Sequence, residues 1–167
     1  DLVRSRGLGD VYKRQVVDQG VKYDHEDLAA NMWVNEAELN GTPGVDDDGN
    51  GYADDVYGYN FALGTSRLTW DVEAYDDKGK NVGDSGHGTH VAGTVAAVSN
   101  NGVGVSGIAG GTGRNDGVKL MSCQIFSGGK GGTISTSVRA IKYAADNGAV
   151  ILQCSCCLLY TSDAADD

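Results

Sequence analysis

The most distinctive chemistry in the sequence lies in residues 84–93 (DSGHGTHVAG), where His87 and His90 stand three positions apart. Two imidazoles at this spacing could bind a metal ion, or they could be polar residues at the start of a helix. Three glycines flank the histidines, although a helix at this position would not require glycine: Gly86, Gly88 and Gly93. Glycine at such positions indicates that backbone or substrate comes close, which favours a functional site.

A second candidate site is the acidic run at residues 46–55 (DDDGNGYADD). Its oxygen-bearing side chains and glycine turn follow the spacing of an EF-hand calcium loop, although position 12, normally a bidentate glutamate, is Tyr57. The candidate ligands are Asp46, Asp48, Asn50, Tyr52 and Asp54. Carboxylates packed this densely repel one another without a cation, so a structural Ca²⁺ is expected. The alternative is an acidic, solvated loop.

Residues 87–93 (HGTHVAG) closely resemble the histidine motif of the subtilisin-like serine peptidases, the subtilases. The resemblance extends to residues 16–21 (VVDQGV), which match the strand and the catalytic aspartate that precede the histidine in this family. Subtilases carry their triad in the order Asp, His, Ser. The similarity continues through three further stretches, residues 25–28, 103–109 and 118–155. One departure is Gln19, because the family usually has Ser or Thr after the aspartate.

The resemblance implies catalytic roles for Asp18 and His87. His87 would accept the proton of a serine nucleophile and return it to the leaving amine, and Asp18 would hold the imidazole in the correct tautomer. Taken alone, Asp18 could equally be a turn-forming residue, and His90 is expected to be a packed core histidine. The family's serine lies far downstream in a Gly-Thr-Ser-Met-Ala-type motif that this sequence lacks. The chain by itself is therefore expected to be inactive.

The elements around these motifs predict an α/β fold with a doubly wound, mostly parallel sheet, truncated relative to the subtilisin-like domain. A strand ends at residues 16–17, a helix covers residues 87–99, and strands cover residues 118–126 and 149–154. Apolar residues recur with helical spacing at Ile134, Val138, Ile141 and Ala145, after a candidate N-cap at Thr133 or Ser135. Residues 40–86 lack periodicity and are expected to form a long surface loop.

Residues 126–132 (FSGGKGG) lie between the second of these strands and the following helix. They are either a flexible connector or, as the resemblance implies, an edge that pairs with an extended peptide substrate. A phosphate-binding loop is excluded, because no Lys-Ser or Lys-Thr pair closes the glycine-rich stretch.

Composition narrows the class of protein. The 167 residues include 13 Lys+Arg and 23 Asp+Glu, and the formal charge of −10 argues against nucleic acid or anionic lipid as a partner. No run of apolar residues is long enough to span a membrane. Cys123 and Cys154 lie in apolar runs and are expected to be buried free thiols. A Cys-rich metal site at residues 154–157 is rejected, because it lacks a second ligand pair.

Both ends of the sequence are interpreted as translated sequencing adapters. Residues 5–15 (SRGLGDVYKRQ) can be encoded by a transposon adapter, and the reverse complement of the same oligonucleotide encodes residues 157–162 (CLLYTS). We therefore expect residues 1–15 and 157–167 to be artefacts. Residues 16–156 would then be part of a subtilisin-like peptidase domain within a longer reading frame.

The resulting functional hypothesis is a piece of a serine endopeptidase that hydrolyses peptide bonds in peptide or protein substrates. Its location, by resemblance, would be secreted or at the cell surface. The alternative is a non-catalytic, calcium-dependent structural or binding module on the same fold. A serine in the Gly-Thr-Ser-x-Ala context downstream would favour the peptidase, and another residue there would favour the module.

Overall fold

The computed structural model describes residues 13–155 of the 167-residue chain. The predicted adapter segments lie outside the described residues, except for positions 13–15, and so does Cys156. The strands are β1 (Lys13–Gln19), β2 (Gly58–Asn60), β3 (Lys119–Ser127), β4 (Lys130–Gly131) and β5 (Ile151–Cys154). The helices are a short 3₁₀ helix (Ala29–Asn31), α1 (Glu36–Leu39), α2 (His87–Ala96) and α3 (Ile134–Asp146).

The strands form one sheet in the order β2-β3-β1-β5 with parallel neighbours, and β4 folds back antiparallel onto the end of β3. Parallel neighbours require crossover connections, and α2 and α3 lie in two of them. The predicted α/β, doubly wound fold is confirmed. β1 ends at Gln19, two residues after the predicted end at residues 16–17, and its backbone pairs with β3 from Lys13 onward.

Side chains of β1 alternate between the two faces of the sheet, and a different helix covers each face. Val16 belongs to a buried cluster with Ala92 of α2, whereas Val17 belongs to a cluster with Tyr143 of α3. Asp18 lies two residues after Val16 and therefore faces α2. The alternation thus decides which helix the aspartate can reach.

α2 packs on the sheet through small side chains, with Ala92 and Ala96 fully buried. It ends at Ala96 and not at residue 99, because the backbone becomes extended at Ala97. The buried Asn31 side chain donates from Nδ2 to the carbonyl oxygens of Ala96 (2.8 Å) and Gly110 (2.6 Å). Since the last carbonyl groups of a helix lack partners within the helix, Asn31 holds the end of α2 in place.

α3 begins after Thr133, whose hydroxyl accepts a hydrogen bond from the Thr136 N–H in a capping box. The predicted helix is present, but its apolar stripe is not the buried side. Ile134, Val138 and Ile141 are 72%, 58% and 40% exposed, and Ala145 is also exposed. The buried residues are Thr136, Ala140, Tyr143 and Ala144. Alanines allow the helix to approach the sheet closely, so hydrophobicity alone indicated the wrong side.

The apolar composition of residues 149–154 is typical of a buried parallel strand, but β5 is largely exposed. This strand lies at the edge of the described sheet, and Ile151 is 40% exposed. Cys154 is exposed as well, whereas Cys123 on the central strand β3 is buried as expected. Burial raises the pKa of the Cys123 thiol and so keeps it neutral. Apolar composition predicted the strand correctly but not its position in the sheet.

Residues 40–86 are more than a surface loop. They include β2, which pairs with β3, and Phe61 immediately after it is 1% exposed in the core. Three residues are too few for a periodic pattern, so the sequence carried no signal for β2. Among residues 13–155, every helix is too short or too polar to cross a bilayer.

Candidate active site

The end of β1 and the start of α2 bring together Asp18 and His87, which are 69 positions apart in the chain. The His87 Nδ1 atom lies 2.8 Å from Oδ1 and 2.9 Å from Oδ2 of Asp18. The Asp18 side chain is 3% exposed, and the His87 side chain is 47% exposed. The aspartate faces α2 because of the alternation along β1, and His87 is the first residue of that helix.

Two glycines allow the close approach of backbone at this site. A Cβ atom on Gly88 would lie 2.1 Å from the carbonyl oxygen of Gln19, so a larger residue would push α2 away from the end of β1. A Cβ atom on Gly20 would lie 2.0 Å from the carbonyl oxygen of Thr69. Gly93, in contrast, has no such neighbour within the part of the chain that the structure describes.

The hydrogen bond between Asp18 and His87 decides the tautomer. A carboxylate can only accept hydrogen bonds, so Asp18 binds the Nδ1–H form of the imidazole and leaves Nε2 free to take a proton. The carboxylate is buried while the imidazole is half-exposed, so a substrate or nucleophile can reach the ring. The arrangement can therefore act as an oriented general base toward a hydroxyl group placed at Nε2.

His90 is not the packed core residue that the sequence predicted. It is exposed on α2, whose buried residues are Gly88, Ala92 and Ala96. The neighbouring Thr89 has a clear structural role, because its hydroxyl accepts a 2.9 Å hydrogen bond from the Lys22 N–H after β1. This bond adds to the contacts that hold the first turn of α2 against the end of β1.

The acidic loop forms a second cluster of carboxylates, away from the Asp18–His87 pair in the chain. Ligand atoms of Glu38, Asp46 and Asp48 all lie within 4.8 Å of one another. Asp54, also a predicted ligand, is not in this group, because its carboxylate accepts the Gly44 N–H at 2.9 and 3.0 Å. The structure thus brings together two of the five predicted ligands and adds Glu38 of α1.

The two remaining predicted ligands have other contacts. The Asn50 Oδ1 atom accepts the Tyr52 N–H at 2.8 Å, and the Asn50 amide group donates to Asp48 and Asp55. The Tyr52 ring packs edge-on against Tyr143, with ring centroids 5.0 Å apart. Tyr52 therefore anchors the loop to the core through its ring, while Asn50 shapes the turn from within.

Backbone N–H groups hold the carboxylates of the cluster. Asp46 accepts the N–H groups of Asn50 (3.0 Å) and Gly51 (2.7 Å), and these bonds, the Gly51 bond most strongly, lower the pKa of its carboxyl. Glu38 accepts three more, from the N–H groups of Asp47, Asp48 and Asp54. At Asp46 these hydrogen bonds favour the charged form of the carboxylate, and carboxylate oxygens grouped in this way suit a hard cation.

Behind the cluster lies a fully buried carboxylate, Asp55. Its oxygens accept hydrogen bonds from the side chains of Asn35 (2.8 Å), Asn50 (2.9 Å) and Tyr143 (2.6 Å). Asn35 also donates to Asp48 at 2.9 Å. Burial raises the pKa of Asp55, and these three bonds oppose that effect. The network connects the acidic loop to α3.

Comparison with known proteins identifies the family of this chain. A model of the subtilase family matches residues 15–162, which include Asp18, His87 and all of the described sheet except the first two residues of β1. The chain belongs to the subtilase family.

Several relatives of this subtilase are named proteases. It is 38% identical over 143 residues to subtilisin-like protease 1 of Plasmodium vivax, which covers 86% of this chain and 20% of the relative. The halolysin of Haloferax mediterranei is 34% identical over 143 residues, which are 86% of this chain and 20% of the relative. The halolysin-like extracellular serine protease Nep of Natrialba magadii is 35% identical over 140 residues, which are 84% of this chain and 19% of the relative. The chain thus spans about a fifth of the length of these relatives.

The glycine-rich stretch of this subtilase forms a tight hairpin. Phe126 and Ser127 of β3 pair with the two residues of β4, and Gly128 and Gly129 make the turn with positive φ. The Gly128 N–H donates a 3.0 Å hydrogen bond to Asp84, which lies three residues before His87. The hairpin is therefore attached to the segment that leads into α2.

Sequence reasoning missed three residues at the acidic loop: Asn35, Glu38 and Asp55. The EF-hand template extends forward from Asp46, whereas Glu38 contributes from eight positions upstream. An acidic residue on a short helix before an acidic loop was the available signal. The sequence contained no signal for the roles of Asn35 and Asp55, because these roles depend on burial and on shared hydrogen bonds.

Proposed function

We propose that this subtilase chain carries the aspartate and the histidine of an Asp-His-Ser triad in a serine endopeptidase. The observation that supports the proposal is the buried Asp18 carboxylate 2.8 Å from Nδ1 of the half-exposed His87. Peptide bonds in peptides or proteins are the proposed substrate, in keeping with relatives named as proteases.

In this mechanism His87 takes the proton of a serine hydroxyl through Nε2 while that oxygen attacks the carbonyl carbon. The same proton then passes to the leaving amine, and the acyl-enzyme is hydrolysed by water. Asp18 keeps the ring oriented and stabilises the imidazolium without taking the proton. We assign the serine and the oxyanion donors to residues outside this segment, and we expect the 167-residue chain alone to have no peptidase activity.

The test is His87→Ala in the full-length protein that carries this segment, with hydrolysis of a casein or peptide substrate as the measurement. We expect kcat to fall by about 10⁴ to 10⁶, because the serine loses its base. His90→Ala is the matched control, since His90 lies on the same helix but is exposed and away from Asp18. Hydrolysis by the His87→Ala protein at a near-wild-type rate would refute the proposal.

We also propose that the acidic loop holds a structural Ca²⁺. Glu38, Asp46 and Asp48 would hold the ion, with further oxygens drawn from the predicted set of Asn50, Tyr52 and Asp54. Carboxylate oxygens held by backbone N–H groups are hard ligands of the type that Ca²⁺ prefers. The ion would offset the repulsion among the carboxylates and order the loop. Chelation should therefore lower the melting temperature of the full-length protein.

Secretion is the proposed location, because relatives include proteases named as extracellular, from Natrialba magadii and Dichelobacter nodosus. The alternative of a non-catalytic calcium-binding module has no observation in its favour. The relatives of this chain are named proteases, and the hydrogen bond between Asp18 and His87 is the kind that orients a general base.

A further inference from the structure

The start of α2 lacks a capping side chain of its own. Its N-cap residue is Gly86, which has φ of 71° and no side chain to accept a hydrogen bond. The first N–H groups of a helix have no partner within the helix and need an acceptor from elsewhere. An uncapped first turn would leave His87, the first residue of the helix, poorly fixed.

The missing acceptor comes from Gln19, the last residue of β1. Its Oε1 atom accepts hydrogen bonds from the Ser85 N–H at 2.9 Å, the Ser85 hydroxyl at 3.3 Å and the His87 N–H at 3.3 Å. An amide oxygen four bonds from Cα reaches across the gap between strand and helix. The Ser or Thr expected at this position in the family carries its oxygen two bonds from Cα and is too short to make the same bonds.

Gln19 also contacts the other member of the pair. Its N–H donates a 2.6 Å hydrogen bond to Oδ1 of Asp18, the oxygen that lies 2.8 Å from His87 Nδ1. Its carbonyl oxygen lies against Gly88, where a Cβ atom would come within 2.1 Å. One residue thus holds the aspartate with its main chain and the helix that carries the histidine with its side chain.

We propose that Gln19 is a positioning residue for the Asp18–His87 pair: its side-chain oxygen caps α2 from the neighbouring strand and so holds the imidazole against the carboxylate. The inference rests on the proposed peptidase function. Small displacements of a catalytic group are costly, since about 1 Å can reduce the rate a hundredfold. Loss of the cap should therefore slow the chemical step more than it weakens substrate binding.

The test compares Gln19→Met and Gln19→Glu in the full-length enzyme. Met has nearly the same length but no oxygen, and we expect kcat to fall by about tenfold or more with KM within about twofold of wild type. Glu keeps the acceptor oxygen at a helix N-terminus, which favours a negative charge, so its kcat should stay within about threefold of wild type. Gln153→Met on the exposed edge strand β5 is the matched control and should change neither constant.

Amide hydrogen exchange gives a readout that does not depend on activity. Exchange at Ser85 and His87 should become faster in Gln19→Met and stay unchanged in Gln19→Glu and Gln153→Met. Wild-type kcat in Gln19→Met would overturn the inference, and so would a rise in KM at constant kcat or a loss of activity that follows a loss of folded protein. If wild-type and His87→Ala proteins are equally inactive, the proposed function fails, and the catalytic role of Gln19 fails with it. If they differ as expected, a normal Gln19→Met enzyme refutes the positioning role alone.

Discussion

The Asp18–His87 pair and the acidic loop are both built around carboxylates, but different parts of the fold position them. Asp18 and His87 come from a strand and a helix that pack on each other through Gly88 and Ala92. The carboxylates of the acidic cluster come from α1 and from the loop that follows it, and they accept hydrogen bonds from backbone N–H groups of that loop. The pair therefore depends on tertiary packing, whereas the loop depends on local hydrogen bonds and on its balance of charge.

This difference predicts different consequences for mutation. A change in the pair should alter the rate and leave the fold intact, because the strand and the helix are held by many other contacts. A change in the loop should alter stability first, because the loop lies outside the Asp18–His87 pair and is joined to the core through Tyr52 and the buried Asp55. Free energies of unfolding are measured on the full-length protein with His87→Ala, which prevents self-digestion, whereas Asp18→Asn is compared with the protein that retains His87.

Asp18→Asn should have the largest effect on the side of the pair. An amide can present its N–H₂ group to the ring and so favour the wrong tautomer, and kcat should fall by about 10⁴. The melting temperature should change by only a few degrees, because the side chain keeps its shape. Steady-state hydrolysis and a thermal melt of the same preparation provide the check. If Asp18→Asn lowers the melting temperature strongly and loses activity only in proportion to the loss of folded protein, Asp18 has a structural role and not a catalytic one.

Glu38→Gln should have the largest effect on the side of the loop. If Glu38 binds Ca²⁺, its loss weakens the site, and stabilisation by calcium should shrink from about 2.7 kcal/mol at a concentration of 100 Kd toward zero. The measurement is the free energy of unfolding with calcium and with a chelator. Glu36→Gln, an exposed acid on the same helix, is the control and should keep the full calcium effect. An equal calcium effect in both variants would exclude Glu38 as a ligand.

Tyr143→Phe tests whether the loop is coupled to the core. The change removes the 2.6 Å hydrogen bond to the fully buried Asp55 and leaves that oxygen with only the Asn50 donor. A lost partner of a buried polar group costs about 1 to 3 kcal/mol in the free energy of unfolding. Tyr75→Phe at a site that is 62% exposed should change it by less than about 0.5 kcal/mol. Equal effects would show that Asp55 does not depend on Tyr143.

The two regions also differ in how far the sequence could predict them. The contact between Asp18 and His87 was predictable to the residue, because HGTHVAG and VVDQGV resemble the motifs of the subtilases, while the catalytic roles of the two residues stay a proposal. The loop was recognised as acidic, but only part of the carboxylate cluster was found, because Glu38 lies on α1, eight positions before the start of the calcium-loop template. The buried side of α3 was not predictable either, because its apolar residues Ile134 and Val138 are exposed. Periodicity identifies a helix, but the side that packs depends on the shape of the sheet beneath it.

The smallest predicted effect concerns Asp84, which lies between the pair and the glycine-rich hairpin. Burial raises the pKa of its carboxyl above the ordinary value of 3.8, and the hydrogen bond from the Gly128 N–H opposes this shift. A folded state that holds the proton more tightly than the unfolded state is favoured at low pH, and this contribution is lost as pH rises through the folded pKa.

Asp84→Asn removes the titration but keeps an oxygen that can accept the Gly128 N–H. The free energy of unfolding of the variant relative to wild type should therefore increase as pH rises from below 3.8 toward neutrality. Denaturant titrations at a series of pH values measure this trend, and the points below pH 3.8, where the wild-type group is protonated in both states, serve as the internal reference. A relative stability that falls with pH would mean that the hydrogen bonds to the Asp84 carboxylate outweigh its burial. Asp84 would then resemble Asp46 of the acidic loop, where hydrogen bonds from backbone N–H groups lower the pKa of the carboxyl.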